Sequence, residues 1–268
     1  MKNLRERTIF AAQLAFTLLV AAFLVVPAVR SMLAGVTESY FLGIRSGFTL
    51  QWVAEVWERY DATILRSFAI ALATLAVTLV VGVPAAYALY VRGGRLARTV
   101  EEIITLPLAI PGLAIALALL QTYQGFGAFR RSSLFILVGH VIFTMPFMVR
   151  SVMAVLAATD IRALDEGAAS LGASAWRRFR DVIVPNARGG ILAGSLMVVT
   201  LSLGEFNLTL MLSTPLTMTL PVGLADAYAS MRLEVASAYT LVFFVMIIPL
   251  LVAMQTFAGW SAARGGRR

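Results

Sequence analysis

The stretch EGAASLGASAWRRFRDVIVP, residues 166–185, differs from the sequence on either side of it. Three arginines and an aspartate lie within five residues beside Trp176, whereas the flanking runs are apolar. Over residues 174–184 the apolar side chains recur every three or four positions, which predicts a short amphipathic helix. Gly172 predicts the end of a preceding helix, because glycine adopts a left-handed cap without steric cost. Pro185 predicts the end of the amphipathic helix.

The composition excludes an ordinary soluble domain. Of the 268 residues, 60% are hydrophobic and 13% are charged, whereas about 25% of the residues in soluble domains are charged. The absence of cysteine excludes disulfides and a zinc site of the cysteine type. The net charge of +8 comes almost entirely from arginine, since Lys2 is the only lysine. In a membrane chain such an excess is typical of cytoplasmic loops and does not indicate nucleic acid binding.

The apolar runs predict an all-α membrane protein of one domain, residues 1–268, with six transmembrane helices. A helix needs about 20 apolar residues to cross a bilayer. The six predicted spans cover about residues 8–29, 67–91, 103–129, 132–159, 189–213 and 235–263. The first is longer than a signal-peptide core and is interpreted as a retained helix. The longest cytoplasmic segment is then residues 160–188, called the central loop below.

The orientation follows from the distribution of positive charge. Placing both termini, residues 92–102 and residues 150–188 on one side collects 15 of the 22 lysines and arginines there. The positive-inside rule makes that side cytoplasmic. Two cytoplasmic termini are consistent with an even number of spans.

A polar stripe in the fifth span suggests a transport path. Its residues are separated by steps of seven, three, four and four, which would place them on one face of a helix. They are Ser195, Ser202, Glu205, Thr209 and Ser213. An ionisable residue at membrane depth faces a cavity or a partner and is a functional hypothesis by default. The alternatives are an interhelical bond that only locks the bundle, and a proton carrier in an ion-driven secondary transporter.

The chemistry-bearing residues do not assemble into a known catalytic pattern. A phosphate-binding loop requires a lysine after its glycines, and Lys2 has no such glycines before it. An intramembrane enzyme would need His140 and Glu205 to converge in one pocket. We interpret His140 instead as a buried residue that hydrogen-bonds between helices.

The central loop resembles the "EAA" loop of permease subunits of ATP-binding-cassette (ABC) importers. Glu166, Ala168 and Gly172, followed after nine residues by Val-Ile-Val-Pro ending at Pro185, match that pattern in spacing. Three positions depart from the pattern: Gly167 stands where the family has alanine, Val182 where it has isoleucine and Val184 where it has leucine. About residues 61–255 are similar to the core of type I importer permeases. Several stretches carry this likeness besides the loop: RSFAIALATLAVTLVVGVPAAYAL, LPLAIPGLAIALALL and HVIFTMPFMVR.

The resemblance implies that the central loop inserts as a coupling helix into a cleft of an ATPase subunit. The residues implied in that contact are Glu166, Ala168, Gly172, Trp176, Phe179 and Pro185. In this interpretation Trp176 and Phe179 are packing anchors and Glu166 is a charged contact. If the central loop does not bind a partner, the alternative is a helix lying among lipid headgroups.

The resemblance also implies the partners. They are two ABC ATPase subunits that hold ATP and magnesium, a second permease subunit (a heterodimer rather than a homodimer), and an extracytoplasmic solute-binding protein. This chain would lie in the bacterial inner membrane, bind no cofactor, metal or nucleic acid, and be no enzyme. The path residues expected in it are Ser202, Glu205, Thr209 and Ser213.

The expected solute is small and polar. Residues 202–228 resemble the permeases that serve polyamines, 2-aminoethylphosphonate, ferric iron and thiamine, and the segment SLGEF is also similar to molybdate- and sulfate-type relatives. A carboxylate at Glu205 suits an amine, which favours an aminophosphonate or a polyamine. Iron(III), thiamine and an oxyanion are the alternatives.

Overall fold

The computed structural model describes residues 2–159 and 161–265; residue 160, the first of the central loop, lies outside the described residues. The described chain is almost entirely helical, with one isolated antiparallel bridge between Thr37 and Phe48. The helices are α1 (Lys2–Ala34), α2 (Gln51–Arg92), α3 (Gly94–Thr105), α4 (Gly112–Thr122), α5 (Gly127–Arg130), α6 (Ser133–Ala158), α7 (Ile161–Ser170), α8 (Ala175–Arg177), α9 (Val184–Gly204), α10 (Asn207–Leu212), α11 (Leu220–Ala229) and α12 (Leu233–Gly265). Short 3₁₀ turns cover Gly43–Ser46 and Leu106–Leu108, and a π-helix covers Arg178–Ile183.

Five helical stretches of the described chain are long and apolar enough to cross a membrane: Glu6–Ala34, Gln51–Arg92, Ser133–Ala158, Ala175–Gly204 and Leu233–Thr256. A sixth span is possible if Gly94–Leu108 and Gly112–Thr122 count as one, although they are bent by 106° relative to each other. Prolines at 107 and 111 flank this bend, and proline cannot donate the hydrogen bond that would continue a helix. These helices confirm the predicted all-α membrane fold.

The chain divides into two compact units, each described here by itself. The first comprises Met1–Asp61 and Leu224–Met246. In it, the backbone after α1 approaches α12 closely, since a Cβ on Gly35 would lie 2.5 Å from the backbone nitrogen of Ala238. Arg232 donates hydrogen bonds to the carboxylate of Glu55 and the hydroxyl of Tyr60. The hydrogen bond to Glu55 raises the pKa of Arg232, so this guanidinium stays charged.

The second unit comprises Ala62–Gly223 and Ile247–Arg268. Its most extensive contact between helices is that of α6 with α9. Glycine makes this contact possible: a Cβ on Gly190 would lie 2.5 Å from the carbonyl oxygen of Ser151. The Ser151 hydroxyl donates to the Gly190 carbonyl at 2.9 Å. Small residues allow helix backbones to approach this closely in membrane proteins. Met148 and Val152 of α6 are fully buried in the resulting core.

A second apolar cluster of this unit joins α4, α6 and α10. Leu208 of α10 is fully buried against Ile115 of α4 and Phe135 of α6. Gly139 of α6 leaves room for α10, because a Cβ there would lie 2.6 Å from Leu208 Cδ2. This packing holds the short helix α10, which at six residues is too short to be stable alone.

Candidate coupling loop and transport path

The first half of the central loop is a helix with a glycine cap. The α7 helix ends at Ser170, and Gly172 follows with φ of +81°. The backbone N–H of Ala173 donates to the Ala168 carbonyl at 3.0 Å, and that of Gly172 donates to the Ala169 carbonyl at 2.9 Å. These two bonds are the pattern of a Schellman motif, with Gly172 in the left-handed position. Gly172 therefore ends the helix, as the sequence predicts.

The second half of the central loop continues directly into the next long helix. Ser174 caps α8 by accepting a hydrogen bond from the Arg177 N–H at 3.4 Å. The π-helix Arg178–Ile183 then leads into α9 without a break. The prediction that Pro185 ends this helix is wrong, because Pro185 lies in the first turn of α9. Pro185 cannot donate a backbone hydrogen bond, and it lies two residues after the end of the π-helix, an irregular turn of a kind that occurs frequently at functional sites.

The two aromatic residues of this half have different surroundings. Trp176 is 65% exposed, whereas Phe179 is partly buried and packs on the core around α6 and α9. The Phe179 ring lies 5.8 Å from the ring of Tyr87 on α2 and 5.8 Å from that of Trp176. The sequence interpretation assigned both rings to a partner. In the structure Phe179 packs against the chain's own core and is partly buried, whereas Trp176 is largely exposed.

Leu171 joins Trp176 on the exposed side of the central loop. Leu171 is 91% exposed at the turn before Gly172. Glu166 is also exposed, while Ala168 is half-buried. Sequence reasoning missed Leu171, although its position directly before a glycine cap is a signal that it would project from a turn. The exposed side chains of the central loop therefore include a carboxylate and three large apolar groups, of which Leu171 and Trp176 are the most exposed and Leu164 is 48% exposed.

Asp165 is the other residue of this region that sequence reasoning missed. It precedes the exposed Glu166 but is only 2% exposed itself. Its two carboxylate oxygens accept one hydrogen bond each: the Tyr87 hydroxyl donates at 2.8 Å and Arg178 donates at 2.7 Å. Four-residue spacing from the buried Ile161 is the sequence signal that Asp165 lies on the inward face of α7.

The predicted path residues do not share one helix face. The α9 helix ends at Gly204, and Glu205 has an extended backbone with ψ of 117°. The chain becomes helical again at Asn207 and stops at Ser213, which is extended as well. The expectation of one continuous helix through this region is therefore wrong. Glu205 lies at a break between two helices, and its side chain is half-buried.

The carboxylate of Glu205 stabilises the start of α10. Its Oε1 atom accepts a hydrogen bond from the Leu208 N–H at 2.5 Å, which satisfies one of the free donors at a helix N-terminus. The same oxygen lies close to α4, since a Cβ on Gly112 would be 3.6 Å from it. Two helix starts thus meet beside Glu205.

Ser202 and Thr209 meet at His140. The Nδ1 atom of His140 lies 2.8 Å from Ser202 Oγ, and its Nε2 atom lies 2.7 Å from Thr209 Oγ1. All three side chains are buried, which confirms the interpretation of His140 as a buried residue that bonds between helices. Ser195 is separate from this group, because its hydroxyl bonds to the Ile191 carbonyl of its own helix.

Comparisons with known proteins agree on one family. Residues 78–264 match the family described as binding-protein-dependent transport system inner membrane component. The chain is 26% identical over 253 residues to the putative 2-aminoethylphosphonate transport system permease protein PhnV of Salmonella choleraesuis (strain SC-B67), covering 93% of this chain and 95% of that protein. It is 28% identical over 218 residues to the molybdenum transport system permease protein ModB of Azotobacter vinelandii, covering 76% of this chain and 94% of that protein.

A solved structure has the same fold. It is a chain of a bacterial alginate ABC transporter in complex with an alginate pentasaccharide-bound periplasmic protein. The TM-score is 0.69 at 16% sequence identity, over 97% of this chain and 95% of the other. At this identity the likeness concerns the fold.

Proposed function

This chain belongs to the family of binding-protein-dependent transport system inner membrane components, and we propose that it forms the path for a small polar solute in an ATP-driven importer. As a permease of an ABC importer, it lies in the inner membrane. The chain itself is no enzyme in this proposal: ATP is hydrolysed, with magnesium, by two separate ABC ATPase subunits. A solute-binding protein delivers the solute from the extracytoplasmic side.

The exposed face of the central loop is the observation that carries this proposal. Leu171 and Trp176 are large apolar side chains of the central loop, 91% and 65% exposed, and Glu166 of the same loop is exposed as well. Exposed apolar groups rimmed by polar residues mark interaction surfaces. The Schellman motif at Gly172 and the packing of Phe179 fix the shape of the central loop, so little conformational entropy is lost when a partner binds. The ATPase subunit is the proposed partner of this face.

Affinity purification in mild detergent tests the contact. We expect an ABC ATPase to co-purify with the wild-type chain and to be lost from the double variant Leu171→Asp, Trp176→Asp, because each aspartate removes apolar contact area. A matched control is Leu216→Asp, which changes an 84% exposed leucine outside the central loop and should keep the ATPase.

Two results would contradict the contact. Retention of the ATPase by the double variant would exclude this face as the binding site of the ATPase. A stably inserted wild-type chain without any ATPase would instead favour a central loop among lipid headgroups and an ion-driven transporter that uses Glu205. Such a transporter would be inhibited by an uncoupler and would need no ATP.

The orientation and the assembly are part of the same proposal. The six spans cross the membrane with both termini and the central loop in the cytoplasm, which follows the arginine distribution. A second permease subunit, related rather than identical, completes the path, because one chain supplies only half of its polar face. Labelling of single cysteines tests the orientation cleanly, since the natural sequence has none.

The proposed solute is an aminophosphonate. PhnV, named for 2-aminoethylphosphonate, aligns with 93% of this chain, whereas ModB, named for molybdenum, aligns with 76%. A polyamine is the second candidate, since an amine also complements the half-buried carboxylate of Glu205. Iron(III), thiamine and oxyanions follow as alternatives.

Uptake assays separate these solutes. Proteoliposomes holding the chain with its ATPase and binding protein should accumulate labelled 2-aminoethylphosphonate in the presence of ATP. Excess unlabelled 2-aminoethylphosphonate should compete, while molybdate should not. Competition by molybdate alone would contradict the aminophosphonate proposal and leave the importer proposal intact.

A further inference from the structure

We infer that Tyr87, Asp165 and Arg178 form a joint that transmits movement of the central loop to α2. The inference rests on the proposed function, in which the ATPase binds the exposed face of the central loop. The three side chains come from three elements: α2, α7 and the π-helix. None of the three belongs to the exposed face. The joint therefore does not touch the ATPase, and it receives the movement from the loop residues that do.

The buried carboxylate makes the joint strong. The side chain of Asp165 is 3% exposed and that of Arg178 is 23% exposed. Removing a charged partner from a buried ion leaves an uncompensated charge in a poorly solvated site, which is strongly unfavourable. Asp165 therefore holds Tyr87 and Arg178 together, and with them α2 and the π-helix.

A second contact between α7 and α2, one turn away, fixes the orientation of α7 relative to α2. Arg162 and Asp165 are three residues apart on α7, and Tyr87 and Tyr90 are three residues apart on α2, so each pair lies on one helix face. Arg162 donates two hydrogen bonds to the Tyr90 carbonyl, at 2.7 and 3.2 Å. Its guanidinium also lies 5.2 Å from the centre of the Tyr90 ring, within the range of cation–π contacts. Two points of contact prevent α7 from rotating about either one.

The ring contacts extend the joint into the core. Phe179 packs on Tyr87 and also on the core that contains Ile183 and Val152. The central loop thus has two sides: Leu171 and Trp176 face outward, and Tyr87, Asp165 and Phe179 bind it to the bundle. A force on the outward side would reach α2 through side chains that packing and hydrogen bonds hold in place.

The α2 helix is suited to carry such a movement across the membrane. From residue 62 to Arg92 it is a continuous helix that contains Pro84, about 45 Å long at a rise of 1.5 Å per residue. The joint lies within its last two turns. The joint lies on the C-terminal side of Pro84, so the continuous helix would pass a displacement there to the rest of residues 62–92, whereas a flexible loop would absorb it.

The experiment compares Asp165→Asn and Tyr87→Phe with wild type in proteoliposomes that contain the ATPase and the binding protein. Both changes preserve volume and remove part of the joint. We expect normal recovery of the ATPase with each variant but about tenfold less solute transported per ATP hydrolysed, since losing a hydrogen bond to a buried charge shifts an equilibrium by about that factor. The double variant should transport no less solute per ATP than either single variant, because both substitutions break the same joint.

Matched controls remove the same groups elsewhere. Asp181→Asn changes an aspartate of the same loop whose pairing with Arg180 is exposed, and exposed pairs contribute little. Tyr90→Phe keeps the ring against Arg162 and removes only the hydroxyl. Both should transport as wild type does per ATP.

The outcomes distinguish the joint from the proposed function. An unchanged ratio of solute to ATP in Asp165→Asn and Tyr87→Phe, with the ATPase bound, overturns the joint alone. A fall in inserted protein with an unchanged ratio also overturns it, because the contact is then purely structural. A wild-type chain that recovers no ATPase overturns the proposed function and the joint with it.

Discussion

The Nδ1 atom of His140 lies 2.8 Å from the hydroxyl oxygen of Ser202, one turn before the helix break at Glu205. On the other side of the break, Thr209 binds the second ring nitrogen. One imidazole therefore joins α6 to the helices on both sides of the break. Since the break interrupts the backbone hydrogen bonds of the helix, the side chain of His140 takes over part of their role in holding α9 and α10 in place.

Replacing His140 should destabilise the protein. Interhelical hydrogen bonds in membrane proteins contribute about 0.6–1.7 kcal/mol each, so His140→Ala should lower the unfolding free energy by about 2 kcal/mol. The apparent unfolding temperature in detergent measures the effect. Ser202→Ala should cause a smaller loss, and Ser195→Ala, whose hydroxyl only bonds within its own helix, serves as the control. Equal stability of His140→Ala and Ser195→Ala would contradict the conclusion that His140 links the helices on the two sides of the break.

Glu205 should act both as a helix cap and as a contact for the solute. Glu205→Gln keeps an oxygen that can accept from the Leu208 N–H, so stability should be retained while uptake of an amine-bearing solute falls at least several-fold. Glu205→Ala loses the cap as well, which costs about 1 kcal/mol. Uptake and unfolding temperature, measured on the same preparations, separate the two effects. Normal uptake by Glu205→Gln would reduce Glu205 to its capping role.

Local patterns predicted much of the fold because they depend on residues close in sequence. The apolar runs predict the long helices, and Gly172 predicts the end of α7, since both follow from the backbone and its immediate neighbours. The role of His140 follows from the general rule that a polar group in an apolar bundle needs a partner. None of these inferences requires knowledge of which helices pack together.

The errors have a common physical origin in tertiary contacts. Glu205 lies in an apolar run that predicts one continuous helix. The helix break at Glu205 is stabilised by His140 and by the packing of α10 against α4. Pro185 is compatible both with the end of one helix and with the first turn of another. Asp165 looks like a solvated loop residue until Tyr87, 78 residues away in sequence, supplies its partner. Such partners cannot be found from spacing alone.

The contact between α6 and α9 should be intolerant of a single methyl group. A Cβ on Gly190 would lie 2.5 Å from the Ser151 carbonyl oxygen, which is backbone and cannot rotate away. We expect Gly190→Ala to lower stability by about 2 kcal/mol through overpacking. The neighbouring Gly189→Ala is the control, because nothing lies within 4 Å of its Cβ. The yield and unfolding temperature of the purified variants measure the difference, and equal values would contradict the close approach of these helices.

The shape of the central loop should depend on Gly172. Its φ of +81° is unfavourable for any residue with a Cβ, so Gly172→Ala should cost about 1–2 kcal/mol of local strain. Because that strain distorts the turn that presents Leu171, the variant should also bind the ATPase more weakly in affinity purification.

The matched variant at this site is Gly167→Ala. Gly167 lies inside α7, and no atom lies within 4 Å of its Cβ position. Alanine there should stabilise the helix by roughly 0.5–1 kcal/mol and leave ATPase recovery unchanged. If Gly172→Ala and Gly167→Ala recovered equal amounts of ATPase, the left-handed cap would have no part in presenting the loop, and Leu171 would have to be positioned by α7 alone.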